Sequence, residues 1–205
     1  MIGIIDYGAG NLQSVYKALK FIGSDCKIVD SREELFKCDG AILPGVGSFG
    51  DAMNCMAKSR LVEAVKDYAK SGKPFLGICL GLHLLFSESE ESAGAQGLSL
   101  LGGSITKIPS NNGSLKIPHM GWNSISIKKR DGIFKGIPDE SYVYFVHSYY
   151  LTADDSSIVA ATTNYGTKID AAVEYGNIIA TQFHPEKSGS VGLKMLENFV
   201  AMTDN

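Results

Sequence analysis

The stretch KPFLGICLGLHLLF, residues 73–86, decides how this sequence folds. Residues 75–78 have the apolar composition of a buried strand, and apolar residues return at helical spacing after a Gly-Ile-Cys-Leu-Gly segment. Glycines stand two residues before and two after Cys79, which is the pattern of a nucleophile elbow, a sharp turn from strand to helix. We expect the elbow to expose the Cys79 sulfur above the carboxyl ends of the strands. A helix N-terminus there would favour a thiolate, and the Leu80 N–H would be free to bind an oxyanion.

The residues around this stretch alternate between strand and helix patterns. Short apolar runs predict strands at residues 2–6, 26–29, 40–43 and 75–78. Helical spacing predicts helices at residues 12–22 and 61–70, with Asn11 capping the first, Gly23 ending it, and a capping box starting at Ser31. Strands that alternate with helices through short connections indicate an open parallel sheet covered on both faces.

The second half of the chain has a different pattern. Six short strand candidates, joined by turns, predict hairpins at residues 104–108, 123–127, 142–146, 158–162, 169–173 and 178–183. A closing helix is predicted at residues 190–202, and the Ser/Glu-rich residues 87–92 are predicted to form a solvated loop. We therefore predict one α/β domain spanning residues 1–205, with an open, mostly parallel sheet flanked by helices and antiparallel strands in the C-terminal half.

Composition excludes several classes of function. The 205 residues are 44% hydrophobic and carry a formal net charge of -3, so no basic surface argues for nucleic acid or an anionic membrane. The N-terminus lacks the basic region of a signal sequence, and no apolar window is long enough to span a membrane, so we expect a cytoplasmic protein. The four cysteines form no Cys-x-x-Cys pair, which favours free thiols, and we expect neither a metal nor a cofactor.

A thiol nucleophile needs a base, and the segment ATQFHPEKSG, residues 180–189, offers the strongest candidate. It follows a predicted strand, and Pro185 favours an extended His184, which would point His184 and Glu186 to the same side. His184 could then accept the thiol proton while Glu186 orients the imidazole. The alternatives are structural: a buried cysteine in a glycine-rich turn, and a surface loop with an ordinary histidine and glutamate. The histidine at position 83 lies one helical turn past Cys79 and is also placed to face the site.

These residues resemble the class I glutamine amidotransferase family, and within it the glutaminase subunits of imidazole glycerol phosphate synthases. The resemblance runs end to end and implies a flavodoxin-like class I amidotransferase fold. Six segments carry it: DYGAGNLQSV (6–15), LPGVGSFGDAM (43–53), GICLGLHLLF (77–86), PHMGWN (118–123), YFVHSYY (144–150) and QFHPEKSG (182–189).

The resemblance implies a reaction and a set of roles. Glutamine would be hydrolysed through a glutamyl thioester on Cys79, with His184 and Glu186 completing a triad. The partner would be a (β/α)8-barrel synthase subunit in a heterodimer, which uses the ammonia to make imidazole glycerol phosphate and an aminoimidazole carboxamide ribotide in histidine biosynthesis. The further implied roles are an oxyanion hole from the Val46 and Leu80 N–H groups, glutamine contacts at Gly47, Ser148 and Tyr149, and a surface towards the partner at Trp122, Asn123 and Lys187.

One position departs from the family pattern. Four residues after the nucleophile the family commonly has glutamine, whereas this chain has His83. A histidine loses the simultaneous donor and acceptor of an amide, and a protonated one would bring positive charge towards the thiolate. The departure leaves open a divergent copy serving another synthase, such as a sugar-amidating enzyme, and an inactive scaffold for a barrel partner. The fold and the elbow also leave open a stand-alone γ-glutamyl hydrolase or cysteine peptidase.

Overall fold

The computed structural model describes residues 1–110 and 112–204, which contain eleven strands and six α-helices. The strands are β1 Ile2–Ile5, β2 Cys26–Val29, β3 Gly40–Gly45, β4 Phe75–Cys79, β5 Gly103–Lys107, β6 His119–Ile127, β7 Ser141–His147, β8 Tyr149–Ala153, β9 Val159–Asn164, β10 Lys168–Tyr175 and β11 Ile178–Thr181. The helices are α1 Leu12–Phe21, α2 Arg32–Phe36, α3 Phe49–Lys58, α4 Val62–Ala69, α5 Leu80–His83 and α6 Gly189–Ala201.

Nine of the strands form one sheet, in the order β2-β1-β3-β4-β11-β10-β9-β6-β7. The first five strands are parallel to one another, and from β11 onward each strand is antiparallel to its neighbour. A separate antiparallel pair joins β5 to β8. The predicted fold class, a parallel sheet with antiparallel strands in the C-terminal half, is confirmed.

Helices cover both faces of the parallel region. The core on one face contains buried residues of α3 and α4 together with Ala41 and Leu43 of β3, and the core on the other contains buried residues of α1 and α6 together with Ile42. This alternation follows from the two-residue period of a strand, because a strand buried on both sides must be apolar at every position. Among the described residues, no helix is both long enough and apolar enough to cross a membrane.

Several local predictions were wrong. Helix α3 and strand β8 were not predicted, and β5 pairs with the distant β8 rather than with an adjacent strand in a hairpin. The Asn11 side chain makes no capping hydrogen bond, so α1 begins without the predicted cap, whereas Ser31 does accept a bond from the Glu34 N–H. Gly23 ends α1 with φ +76°, as its lack of a Cβ permits.

Candidate active site

The turn between β4 and α5 has the strained geometry that its glycine spacing predicts. Cys79 has φ 56° and ψ -107°, a conformation that side chains other than glycine rarely adopt. A Cβ on Gly81 would overlap the Leu43 carbonyl oxygen, and one on Gly77 would lie 2.8 Å from the Gly81 carbonyl oxygen. Neither position has room for a larger residue, so the two glycines are what allow the chain to turn here.

The Cys79 thiol differs from its predicted setting in two ways. Its side chain is buried rather than exposed, with 8% of its surface accessible, because the sulfur lines a cavity instead of the outer surface. Its sulfur lies 3.9 Å from the Val146 carbonyl oxygen on β7. The following helix has only four residues, so the full helix dipole expected at this position is not present.

His184 and Glu186 face each other, as their spacing around Pro185 predicts. His184 is extended, with φ -100° and ψ 98°, and its Nδ1 lies 2.8 Å from Glu186 Oε1. Both side chains are almost completely buried, at 2% and 1% exposure. The His184 backbone N–H donates to the Tyr144 carbonyl oxygen at 3.0 Å, which fixes this segment against the edge of β7. The carboxylate therefore sets which ring nitrogen of His184 points away from it.

The surroundings of His184 favour its protonated form. Burial by itself lowers the pKa of His184, but the side chains of Cys79 and Glu186 outweigh burial and raise the pKa to about 9. The second ring nitrogen, Nε2, is buried and has no hydrogen-bond partner among the described residues, since the thiol is turned towards Val146. A small rotation of the Cys79 side chain would bring its sulfur to this nitrogen, and transfer of the thiol proton there would give a thiolate–imidazolium pair that the Glu186 carboxylate stabilises.

Most residues that the sequence analysis selected surround a single cavity of about 240 Å³. Besides Cys79 and His184, the cavity lining includes Val46, Gly47, Leu80, His83, Ser148 and Tyr149. Glu186 does not line the cavity, and its carboxylate instead contacts His184. The structure thus gathers one thiol, one buried imidazole with its carboxylate partner, and a set of main-chain segments around a space the size of a small molecule.

Two main-chain segments border the Cys79 side chain. Val46 and Gly47 directly follow β3, whose last residue Gly45 is in register with Cys79. Leu80 is the first residue of α5, and the first N–H groups of a helix have no partner within it. A Cβ on Gly45 would lie 2.8 Å from the Leu80 Cβ, so the β3 end and the elbow pack directly together.

His83 is held neutral in the cavity wall. Burial lowers its pKa to about 4, although a hydrogen bond to Gln182 acts in the opposite direction. His83 Nε2 lies 2.7 Å from Gln182 Oε1, and an amide oxygen only accepts, so Nε2 carries the hydrogen. The concern that His83 brings positive charge towards the thiolate does not apply, because the imidazole is uncharged at neutral pH.

Glu91 is a site residue that the sequence analysis missed. It lies in the Ser/Glu-rich segment predicted as a solvated loop, yet Glu91 lines the cavity and neighbouring Ser89 is only 5% exposed. Glu91 Oε2 accepts a hydrogen bond from the Phe49 N–H at 2.8 Å, at the start of α3. No local pattern could identify Glu91, because its position depends on packing against a helix 42 residues away. Val146, His147 and Lys187 also line the cavity.

The described residues include no group of three or more His, Cys, Asp or Glu side chains arranged to hold a metal ion.

Comparisons with known proteins agree with this geometry. The model of the family "Glutamine amidotransferase class-I" matches residues 3–202. The chain is 49% identical over 202 residues to imidazole glycerol phosphate synthase subunit HisH of Caldanaerobacter subterraneus subsp. tengcongensis, covering 98% of each chain. It is 50% identical over 204 residues to the subunit of the same name of Methanosarcina barkeri, again covering 98% of each.

Solved structures share the fold at lower identity. The structure of PurLQS from Thermotoga maritima has a TM-score of 0.77 at 21% identity, covering 98% of this chain and 97% of that one. A structure described as that of a glutamine amidotransferase has a TM-score of 0.76 at 18% identity, covering 100% and 99%. At these identities the likeness shows the fold alone, and it agrees with the sheet described above.

Proposed function

The chain belongs to the class I glutamine amidotransferase family, and on this premise we propose that it is the glutaminase subunit of an imidazole glycerol phosphate synthase in histidine biosynthesis. The observation that carries the proposal is the cavity in which a strained Cys79 meets His184, whose buried ring is held from behind by Glu186. Relatives at about half identity over the full length bear the name of that subunit, which supports this acceptor pathway over others.

The reaction begins with transfer of the Cys79 thiol proton to His184 Nε2. The thiolate attacks the side-chain carboxamide carbon of glutamine, and the carbonyl oxygen becomes an oxyanion that accepts hydrogen bonds from the Leu80 and Val46 N–H groups. The tetrahedral intermediate collapses when the His184 imidazolium gives its proton to the leaving amine, which departs as ammonia.

Hydrolysis of the thioester returns the enzyme to its starting state. His184 takes a proton from water, the hydroxide adds to the thioester carbon, and Cys79 leaves as the thiolate that His184 reprotonates. The sum is glutamine plus water giving glutamate plus ammonia. Glu186 keeps its charge throughout, and its role is to orient His184 and stabilise the imidazolium that forms in both halves of the reaction.

The cavity also offers recognition for the rest of glutamine. The Glu91 carboxylate is fixed by the Phe49 N–H and would pair with the α-ammonium group of the substrate. Gly47, Ser148 and Tyr149 line the same cavity and would supply main-chain and hydroxyl groups for the α-carboxylate. His83, neutral and bonded to Gln182, contributes its ring as part of the wall.

An exposed aromatic surface beside the cavity would bind the partner. Met120, Trp122 and Tyr142 are exposed by 62%, 55% and 62%, and they share one face of the β6–β7 pair. Trp122 contacts Tyr144 edge to face at 6.1 Å, and the Lys187 ammonium lies 5.9 Å from the Tyr144 ring centre. Exposed apolar residues clustered in this way mark protein interfaces. Since Lys187 also lines the cavity, a (β/α)8-barrel synthase subunit seated on this surface would receive ammonia directly.

Mixing the purified chain with the barrel synthase subunit of the same organism tests the proposal. We expect glutamate release to rise by at least ~10²-fold when the partner and its acceptor nucleotide are both present, the contribution of one oxyanion-hole donor, if the partner favours the conformation of the 45–46 peptide in which the Val46 N–H points towards the thioester. Hydrolysis of γ-glutamyl peptides by the chain alone, without stimulation by the partner, would support the stand-alone hydrolase instead. A complex that forms but makes product only from free ammonia would support the inactive scaffold.

A further inference from the structure

Two buried histidines outside the triad lie side by side on neighbouring strands of the sheet. His119 on β6 and His147 on β7 are in register, and His119 Nδ1 lies 3.0 Å from His147 Nε2. Their side chains are only 3% and 6% exposed, and the His119 ring stacks on Phe145 and Tyr165 at centroid distances of 4.6 and 3.9 Å. Neither imidazole takes part in the reaction proposed above.

The hydrogen-bond partners determine where each proton of this pair lies. His147 Nδ1 lies 2.8 Å from the Tyr149 carbonyl oxygen, which can only accept, so Nδ1 carries a hydrogen. Burial lowers the pKa of His147 to about 3, and the ring is therefore neutral with a lone pair on Nε2. His119 Nδ1 must then be the donor in the contact between the two rings.

The same reasoning adds Asn123 to this series of hydrogen bonds. Burial lowers the pKa of His119 to about 4, so its Nε2 carries a lone pair and accepts from Asn123 Nδ2 at 3.4 Å. Asn123 Nδ2 also donates to the Asn164 carbonyl oxygen at 3.0 Å, which fixes the orientation of its amide. Hydrogen bonds thus run in one direction, from Asn123 through His119 and His147 to the Tyr149 carbonyl oxygen.

The two ends of this series of hydrogen bonds lie in different parts of the molecule, one at the cavity and the other beside Trp122 on β6. Tyr149 lines the cavity together with Ser148 and His147 itself. Asn123 follows Trp122 on β6, with its side chain on the opposite face of the sheet from the exposed aromatic surface. Burying two imidazoles costs desolvation that an apolar pair would avoid, and here their hydrogen bonds end on the main chain of the cavity wall.

We propose that His119 and His147 are a positioning pair for glutamine, which holds the Tyr149 carbonyl and with it the Ser148–Tyr149 segment at the correct distance from Cys79. The inference rests on the proposed function, because it concerns how that substrate is held. Losing the bond to Tyr149 frees this segment to move relative to the nucleophile. Loss of the pair should weaken glutamine binding more than it slows the covalent step, since neither imidazole exchanges a proton with the substrate.

Two substitutions at one position separate positioning from general stability. The amide nitrogen of asparagine falls near the Nδ1 position of histidine, and that of glutamine near the Nε2 position. His147→Asn therefore keeps a donor for the Tyr149 carbonyl, and His147→Gln removes it. In the assembled complex, we expect His147→Gln to raise KM for glutamine about five-fold or more with kcat changed less than about two-fold, and His147→Asn to keep KM within about two-fold of wild type.

Thermal unfolding of both variants provides the control. A purely structural pair would lower Tm in both variants and leave KM unchanged, or would raise KM equally in both, and either result would overturn the proposal. If His147→Gln does not fold, His119→Phe keeps the stacked ring but removes the donor to His147, and KM should rise about two- to five-fold. An unchanged KM in that variant would also overturn it. A wild-type complex that releases no glutamate would refute the proposed function itself.

Discussion

Replacing Glu186 by glutamine should move the pH dependence of glutamine hydrolysis. Glu186 is buried, contacts His184 at 2.8 Å and does not line the cavity, so the substitution changes the base without touching the substrate. Glutamine keeps an oxygen that can accept the Nδ1 hydrogen, but it removes the negative charge that helps to raise the pKa of His184 to about 9. The imidazolium is present below that pH and is lost as pH rises through it.

The size of the shift follows from the hydrogen bond that changes. A bond to a charged partner contributes about 1.5–3 kcal/mol and a neutral one about 0.5–1.5 kcal/mol, so the imidazolium loses roughly 1–1.5 kcal/mol, or about one pKa unit. The alkaline limb of kcat should move down by about one pH unit. Because the pKa of His184 falls by about one unit from about 9, the thiolate–imidazolium pair is depleted chiefly above about pH 9, where kcat should fall up to about ten-fold. At neutral pH kcat should stay within about two-fold of wild type, and KM should be nearly unchanged.

The rate of glutamate release by the complex, measured from about pH 5 to about pH 10, gives the alkaline limb of the kcat profile directly. The alkylation rate of Cys79 by iodoacetamide over the same range reports the thiolate, with Cys79→Ala as the blank for the other three cysteines. Glu197→Gln, which removes the same charge from an exposed position on α6, is the matched control. An alkaline limb that stays in place, with kcat above about pH 9 within about two-fold of wild type, would refute the role assigned to Glu186.

Three further predictions concern the substrate pocket, the elbow and the partner surface. His83→Gln should lower KM for glutamine by a factor of a few to about ten, because one hydrogen bond is recovered, whereas a higher KM in steady-state assays would show that His83 suits this pocket. Gly45→Ala would place a Cβ 2.8 Å from the Gly81 nitrogen and displace Leu80, so glutamate release should fall by ~10²-fold or more while co-purification with the partner persists. Loss of co-purification would contradict this. Trp122→Ala should weaken partner binding in calorimetry by about 2 kcal/mol or more, unlike Tyr175→Ala, which removes a similarly exposed ring elsewhere, and equal affinities would contradict the interface.

Local sequence patterns predicted much of the fold, because they follow from residue spacing. The parallel strands around β3 and β4 are short apolar runs, and Gly77 and Gly81 predict the elbow that φ 56° at Cys79 confirms. Helix α3 has a local sequence signal of its own: Ser48 accepts a hydrogen bond from the Asp51 N–H as an N-cap, and apolar residues follow at helical spacing. Neighbouring glycines obscured this pattern.

The remaining features depend on distant parts of the chain. Glu91 reaches the cavity because it binds the first turn of α3, and Ser89 is buried because it bridges to Ile105. The His119–His147 pair requires the β6–β7 register, which no local pattern encodes. Likewise, the burial of Cys79 results from packing beneath β7, since Val146 contributes the carbonyl next to the sulfur.

The central claim is that Cys79 supplies ammonia from glutamine to a partner subunit, and Cys79→Ala tests it most directly. Product formation by the reconstituted complex is measured with glutamine and, separately, with an ammonium salt as the nitrogen source. We expect the variant to form no product from glutamine and to match the wild-type rate with ammonium, because only the covalent step needs the thiol. Glutamine-dependent synthesis that persists in Cys79→Ala would contradict the account.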